Sequence, residues 1–297
     1  MRKIAPILLV AALVLGTALF FWNREATRLR ARATMDTAGA LLEKGKAEEA
    51  RVLLEATKPP GEKDPLYEEW AKLGVLTALA ERRPETLRAI EEKNPGVVSK
   101  VPEARAALLR DELQRIQSEG GDLNSVEIPD DLPLVAADRE LLLGNVGRAR
   151  EILESAKLEG QAEINRLVRL ALLDAGDPAK AWASLAKAYA IDPRSMEVRT
   201  FSGNLLEERG DTLAARREYI AALLSDPSNP RARDNLAEFY IRSGMFPQAV
   251  ATWLEAPPGP MSAVFQLKAW FWNRVAGGGA DFSKINPRSA LIDELDA

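Results

Sequence analysis

Residues 176–193 read GDPAKAWASLAKAYAIDP, residues 210–227 read GDTLAARREYIAALLSDP, and residues 244–256 read GMFPQAVATWLEA. Each segment begins with a glycine, at an interval of 34 residues, and all three keep the same order of small and bulky side chains. Such a repeat predicts stacked pairs of α-helices, because one pair cannot bury its apolar face alone. The recurring positions, which we expect to pack the pairs together, are Gly176, Ala181, Leu185, Ala188, Gly210, Ala215, Tyr219, Ala222, Gly244, Ala249 and Trp253.

One repeat shows the physical reason for this order. Ala181, Leu185 and Ala188 stand at i, i+4 and i+7, so they fall on one face of a helix. The two alanines let a neighbouring helix approach closely, and the leucine fills the groove between them. Gly176 predicts a left-handed residue that ends the first helix of the pair. Pro193 predicts the end of the second helix.

The order of small, small, bulky and proline positions resembles that of the tetratricopeptide repeat family, and Trp70, Leu73 and Gly74 match the family's opening Trp-x-x-Leu-Gly. The resemblance implies an all-α fold, a right-handed superhelical solenoid of helix-turn-helix repeats. It divides the chain into a degenerate helical region at 34–129, repeats at 130–256, and a capping helix with a tail at 257–297. We place the capping helix at Met261–Val275, whose side chains are strongly apolar.

The N-terminal residues predict one transmembrane helix before the solenoid. Residues 4–22 carry no charge, and 19 helical residues span roughly 28 Å, the thickness of a hydrocarbon core. A basic juxtamembrane segment with Arg24, Arg28, Arg30 and Arg32 completes an anchor region at 1–33. The short basic head favours a signal-anchor in the inner (cytoplasmic) membrane, single-pass, with the solenoid on the extracytoplasmic side. A cytoplasm-facing adaptor and cleavage of the segment remain open alternatives.

Composition argues against most catalytic classes. The chain contains no cysteine and no histidine, so thiolate nucleophiles, the commonest general base and the commonest metal ligands are missing. Residues 1–33 carry a charge of +5 and the whole chain −4, which leaves −9 for the remainder. Duplex nucleic acid requires a clustered cationic surface, so we expect no nucleic-acid partner. We predict no enzyme activity, no metal and no cofactor; the alternatives are a carboxylate-based enzyme and a glycan-binding helical domain.

The remaining function is recognition of protein partners. In the family that the chain resembles, the first helices of successive pairs line a concave groove that accepts an extended peptide or a helix. By this resemblance the groove residues are Arg166, Leu170, Thr200, Asn204, Glu207, Asp234, Glu238 and Ile241. The anchor and the repeats together predict a membrane-anchored bacterial tetratricopeptide repeat protein, a scaffold that acts as an assembly or adaptor factor for an envelope complex.

Overall fold

The computed structural model describes the backbone of residues 4–259, 261–285 and 288–296, and within these ranges the side chains from Phe21 onward. All regular structure in this described part is helical, with no strand. The all-α prediction is therefore confirmed. The chain divides into two compact units, Met1–Leu143 (unit 1) and Gly144–Ala297 (unit 2).

The described residues of unit 1, from Ile4 to Leu143, form six α-helices in chain order. Contacts join α1 to α2 and to α3, α3 to α4, and α5 to α6. Two short 3-10 turns lie beside α5, at Val98–Lys100 and Leu123–Ser125. The helices are α1 (Ile4–Glu43), α2 (Ala47–Ala56), α3 (Leu66–Ala80), α4 (Pro84–Lys93), α5 (Pro102–Glu119) and α6 (Pro133–Leu142).

Unit 2 contains nine α-helices among its described residues. Three successive pairs form its centre, because α8 packs on α9, α10 on α11 and α12 on α13. The helices are α7 (Val146–Ser155), α8 (Gly160–Leu173), α9 (Pro178–Ile191), α10 (Met196–Glu208), α11 (Thr212–Ser225), α12 (Pro230–Arg242), α13 (Phe246–Leu254), α14 (Ser262–Val275) and α15 (Ala290–Asp296).

The repeated residues occupy equivalent places in the three pairs. Ala181, Ala215 and Ala249 are fully buried on the second helices α9, α11 and α13. The bulky residues four positions later, Leu185, Tyr219 and Trp253, are also buried. Second helices begin in similar ways, since the side chains of Asp177 and Asp211 accept hydrogen bonds from backbone N–H groups of the first turn.

In two of the three repeats, the turn between the helices of a pair contains a glycine with a positive φ. Gly210 and Gly244 have φ values of +77° and +72°, which glycine adopts without strain. The following backbone N–H groups donate to carbonyls five residues earlier, from Asp211 to Leu206 and from Met245 to Tyr240.

Gly176 does not have a positive φ, so the predicted left-handed residue at this position is wrong. Helix α8 ends at Leu173, and the turn closes through a bond from the N–H of Asp177 to the carbonyl of Asp174, 2.8 Å long. Gly176 lies within this four-residue turn, which closes without a positive φ at the glycine.

The C-terminal end of unit 2 is formed by α14 and α15. Helix α14 occupies the segment predicted as a capping helix, and it packs against α13. Phe265 and Ala269 of α14 and Ile292 of α15 are buried in the cluster around Trp253 and Phe239. The Trp272 ring stacks on Phe246 of α13 with a centroid distance of 5.5 Å. These contacts cover the last helix pair.

Helix α1 includes the residues predicted to cross a membrane. The side chains of residues 4–20 lie outside the described part of the chain, so the predicted span at 4–22 falls almost entirely on residues that are not described. Among the helices formed by the described residues, none has the length and apolar character needed to span a bilayer. The membrane anchor therefore stays a prediction.

Candidate partner-binding face

The side chains predicted to line a groove lie on α8, α10 and α12, the first helices of the three central pairs. On α10 and α12 these side chains form a connected polar surface together with two cations of α12 and α14. We call this surface the first-helix face and define it by Thr200, Asn204, Glu207, Asp234, Glu238, Arg242 and Lys268.

Bulky side chains of the second helices hold three of the predicted residues. The Tyr219 hydroxyl lies within hydrogen-bonding distance of the Asn204 Oδ1 atom and 2.9 Å from Glu207 Oε2. In the next pair, Trp253 Nε1 donates to Asp234 Oδ1 at 2.8 Å. The same repeat position therefore packs the pair and orients polar groups on its first helix.

An ion pair joins α10 to α12 across consecutive pairs. Arg242 Nε and Nη2 donate to the two carboxylate oxygens of Glu207 at 2.7 and 2.9 Å. This bidentate geometry is the strong form of an arginine–carboxylate contact. The hydrogen bonds from Arg242, and secondarily from Tyr219, hold the pKa of Glu207 below its ordinary value despite partial burial. Burial and the nearby Glu207 charge raise the pKa of Tyr219, so the phenol stays protonated.

A second bridge joins α12 to α14. Lys268 Nζ donates to both carboxylate oxygens of Asp234 at 2.9 Å and to Glu238 Oε1 at 3.0 Å. The ammonium group also lies 5.5 Å from the centroid of the Trp253 ring. Burial alone would lower the pKa of Lys268, but its hydrogen bonds to the two carboxylates outweigh burial and raise the pKa.

The other predicted groove residues are placed differently. Arg166 donates to Glu163 at 2.6 and 2.7 Å and to the Leu153 carbonyl at 2.9 Å, so it ties α8 to the end of α7. Leu170 is only 8% exposed and packs in the interior. Ile241 is half-buried against the core of the last pairs. Thr200 is half-buried, with its hydroxyl 3.6 Å from the Met196 sulfur.

Arg242 and Lys268 were missed by the sequence reasoning, although a signal was present. Lys268 follows Asp234 by 34 residues and Arg242 follows Glu207 by 35 residues, close to one repeat. Opposite charges at the repeat interval indicate ion pairs between consecutive first helices. The five charged residues of the face comprise three carboxylates and two cations, which leaves a slight acidic excess.

The face carries carboxylates and cations that pair with one another. Within the described part of the chain, no group of three His, Cys, Asp or Glu side chains is arranged to hold a metal ion. The carboxylates of the face are held by cations instead of standing in a cleft beside a nucleophile. The arrangement offers polar and charged groups on successive helices, which suits recognition of an extended partner.

Comparisons with known proteins agree with a helical-repeat fold. No protein-family model matches the sequence. An alignment over 112 residues, which covers 34% of this chain, is 35% identical to cellulose synthase operon protein C of Pseudomonas fluorescens (strain SBW25) and spans only 8% of that protein.

Two solved structures show the likeness in three dimensions. The human IFIT1 dimer with m7Gppp-AAAA matches with a TM-score of 0.50 and 15% identity, over 87% of this chain and 69% of that one. A tetratricopeptide repeat protein from Parabacteroides merdae ATCC 43184 matches with a TM-score of 0.37 and 16% identity, over 90% and 97% of the two chains. At these identities the likeness concerns the fold alone.

The chain thus has a fold of stacked helix pairs, similar to that of the IFIT1 structure. The absence of enzyme activity in this chain stays a prediction.

Proposed function

We propose that the protein is a membrane-tethered scaffold that binds protein partners on the first-helix face of unit 2. The observation that carries the proposal is the connected row of polar side chains on α10, α12 and α14. Glu207 is held by a cation of α12, and Asp234 and Glu238 are held by a cation of α14, so their positions are fixed before a partner arrives. A preorganised surface loses little conformational entropy on binding.

The charges of the face indicate the partner's chemistry. Arg242 pairs with Glu207 and Lys268 is shared by Asp234 and Glu238, which leaves an excess of one negative charge; the exposed Glu208 at the end of α10 adds another. A partner segment with polar side chains and a lysine or arginine would complement this surface. Nucleic acid would meet an acidic surface, which disfavours binding.

The tether is proposed from residues 4–22, which form an uncharged apolar stretch within α1. Anchoring one partner in a membrane raises its effective concentration near other membrane proteins, so modest affinity at the face suffices. On this basis we propose an assembly or adaptor role in an envelope complex, with unit 2 on the extracytoplasmic side of the cytoplasmic membrane.

Photo-crosslinking tests the binding face. A photoreactive amino acid at Thr200 disturbs little, because the Thr200 hydroxyl has only a weak contact to Met196. The matched control position is Arg217, which is exposed on the second helix α11. We expect a discrete protein adduct from Thr200 and none from Arg217 when intact cells are irradiated. The same adducts from both positions, or adducts from Arg217 alone, would contradict the proposed face.

A compartment reporter tests the tether and its direction. An enzyme active only outside the cytoplasm, fused after Ala297, should be active if unit 2 is extracytoplasmic. Activity of a cytoplasmic reporter at the same site would support the adaptor that faces the cytoplasm. Recovery of the full chain in the soluble fraction, without detergent, would reject the tether itself.

A further inference from the structure

Helix α1 joins the proposed membrane span to unit 1 without a flexible linker. The helix runs from Ile4 to Glu43. Its second half belongs to the interior of unit 1, because Ala31 and Ala38 are fully buried and Met35 is nearly so. The helix also contacts both α2 and α3. The end of the proposed span is therefore fixed relative to the surface of unit 1.

A salt bridge holds the loop between α2 and α3 against this part of α1. Arg28 Nε lies 2.8 Å from Asp64 Oδ2 in an ion pair, and the Asp64 side chain is only 7% exposed. The other carboxylate oxygen of Asp64 accepts a hydrogen bond from the N–H of Leu66 at 3.1 Å. The Leu66 N–H, and after it the charges of Arg28 and Arg24, hold the pKa of Asp64 below its ordinary value. These contacts hold the loop 57–65 beside the part of α1 that contains Arg28.

This position corresponds to the depth of lipid headgroups. Arg28 follows Trp22 by six residues, which is about 9 Å along a helix. The headgroup region adds roughly 5–8 Å to each side of the hydrocarbon core. If residues 4–22 span the core, Asp64 and its loop lie at the headgroup surface.

Five exposed cations lie around the part of α1 and its neighbouring loop that holds Arg28 and Asp64. Arg24, Arg30 and Arg32 on α1 and Lys58 and Lys63 on the loop are exposed, and none of them forms a hydrogen bond or ion pair with another described residue. They contrast with Arg28, whose charge is used to hold the loop. We call these five residues the basic collar.

We propose that the basic collar binds the phosphates of anionic phospholipids and docks unit 1 on the membrane surface. This inference rests on the proposed membrane tether. A cation close to an anionic membrane surface strengthens association by about fivefold per side chain. Arg24 and Arg32 are about 12 Å apart along α1, so the collar is a band of charge that would hold unit 1 firmly at an anionic bilayer and weakly at a neutral one. The clamp between Arg28 and Asp64 contributes by keeping Lys58 and Lys63 at the level of the arginines.

The absence of cysteine allows a direct test with one introduced label. Gly61 lies at the exposed tip of the loop, its φ is not positive, and an added Cβ would meet no atom within 4 Å. A fluorophore on Gly61→Cys in the full chain reports the distance of the loop from lipids that carry a headgroup quencher. The control label is Lys44→Cys, one residue past α1 and roughly 33 Å from Trp22 along the helix axis.

The full chain is reconstituted into vesicles of phosphatidylcholine with or without phosphatidylglycerol. We expect strong quenching at Gly61→Cys with phosphatidylglycerol, weak quenching without it, and little quenching at Lys44→Cys in either lipid. The double substitution Lys58→Gln/Lys63→Gln should lower the ratio of docked to free loop by about 25-fold, from two cations at fivefold each. It leaves the arginines of α1 unchanged, and with them the determinants of membrane orientation.

The matched control is Lys72→Gln/Lys93→Gln, which removes two exposed lysines of α3 and α4. Equal quenching at Gly61→Cys in the two lipids would overturn the collar, as expected if the cations bind an acidic protein segment. An equal effect of the two double substitutions would also overturn it. If the full chain fails to float with vesicles of either lipid, the tether is wrong and the collar falls with it. Flotation thus separates the two failures.

Discussion

At the scale of single residues, Gly203 lies directly against the ring of Tyr219. A Cβ atom at this position would meet three ring atoms of Tyr219 at 3.0–3.2 Å. The ring has little freedom to move away, because Tyr219 is buried and its hydroxyl is held by Asn204 and Glu207. Gly203→Ala should therefore lower the free energy of unfolding, since overpacking by about 1–3 kcal/mol exceeds a gain in helix propensity of about 1 kcal/mol or less. Urea denaturation measures the change in the free energy of unfolding.

Gly147 provides the matched control in the same unit. It lies in helix α7, and a Cβ atom there would meet nothing within 4 Å. Gly147→Ala should leave the stability unchanged or raise it by up to about 1 kcal/mol. If Gly203→Ala is as stable as Gly147→Ala, the close contact with Tyr219 does not restrict this position.

The residues of the candidate face show what the sequence could and could not predict. The family resemblance predicted that Asn204, Glu207, Asp234 and Glu238 line a groove; the structure places them on α10 and α12, and their role in binding stays a prediction. The resemblance did not predict that Leu170 would be buried, because depth within a helix pair depends on the packing of both neighbours. Nor did it reveal Arg242 and Lys268, since ion pairs between helices depend on side-chain conformations that a residue pattern does not specify.

At the scale of helices, the pair of Glu207 and Arg242 links α10 to α12 and depends on pH. The pKa of Glu207 lies below its ordinary value of 4.5 in the folded protein. The pair therefore stabilises the fold fully above that value, and its contribution is lost as the pH falls through the lower, folded pKa. A double-mutant cycle of Glu207→Gln and Arg242→Gln should give a coupling of about 0.5–1 kcal/mol at neutral pH, limited by the half-exposed Arg242.

The coupling should shrink towards zero in acid, at a pH below the folded pKa of Glu207. The pair of Arg148 and Glu151 serves as a reference, because both side chains are about two-thirds exposed at a similar separation of 2.9 Å. Its coupling should be no more than about 0.5 kcal/mol. A Glu207–Arg242 coupling that is equally large in acid would show that packing, and not charge, links α10 to α12.

Lys268 links α14 to α12 through ion pairs, as Arg242 links α12 to α10. Lys268→Met keeps most of the apolar stem but removes the cation that holds Asp234 and Glu238 together. We expect faster hydrogen exchange of the α14 amides, because the carboxylates then repel each other and the bridge to α12 is lost. Exchange in α8 and α9 should not change. The control is Lys180→Met, which removes a cation that is 70% exposed. It should leave the hydrogen exchange of the α14 amides unchanged.

Helix positions were more predictable than turn conformations. Alternation of small and bulky residues located the second helices, because burial of Ala181, Ala215 and Ala249 requires them on one face. Gly210 and Gly244 adopt the expected turn and Gly176 does not. A glycine permits a left-handed turn without imposing it, so the closing hydrogen bonds decide the conformation.

At the scale of the whole molecule, unit 2 contains its own interior. One buried cluster extends from Ile164 to Leu205 and another from Ala215 to Ile292, so both lie within residues 144–297. A fragment of residues 144–297 should therefore fold alone, with a helical circular dichroism spectrum and one cooperative thermal transition. A fragment of residues 177–297 lacks Ile164, Leu167 and Ala171, which cover the apolar face of α9. It should unfold at a lower temperature and bind more of a hydrophobic dye. If the longer fragment shows no cooperative transition while the full chain does, unit 2 does not fold alone. Its interior then depends on residues before 144.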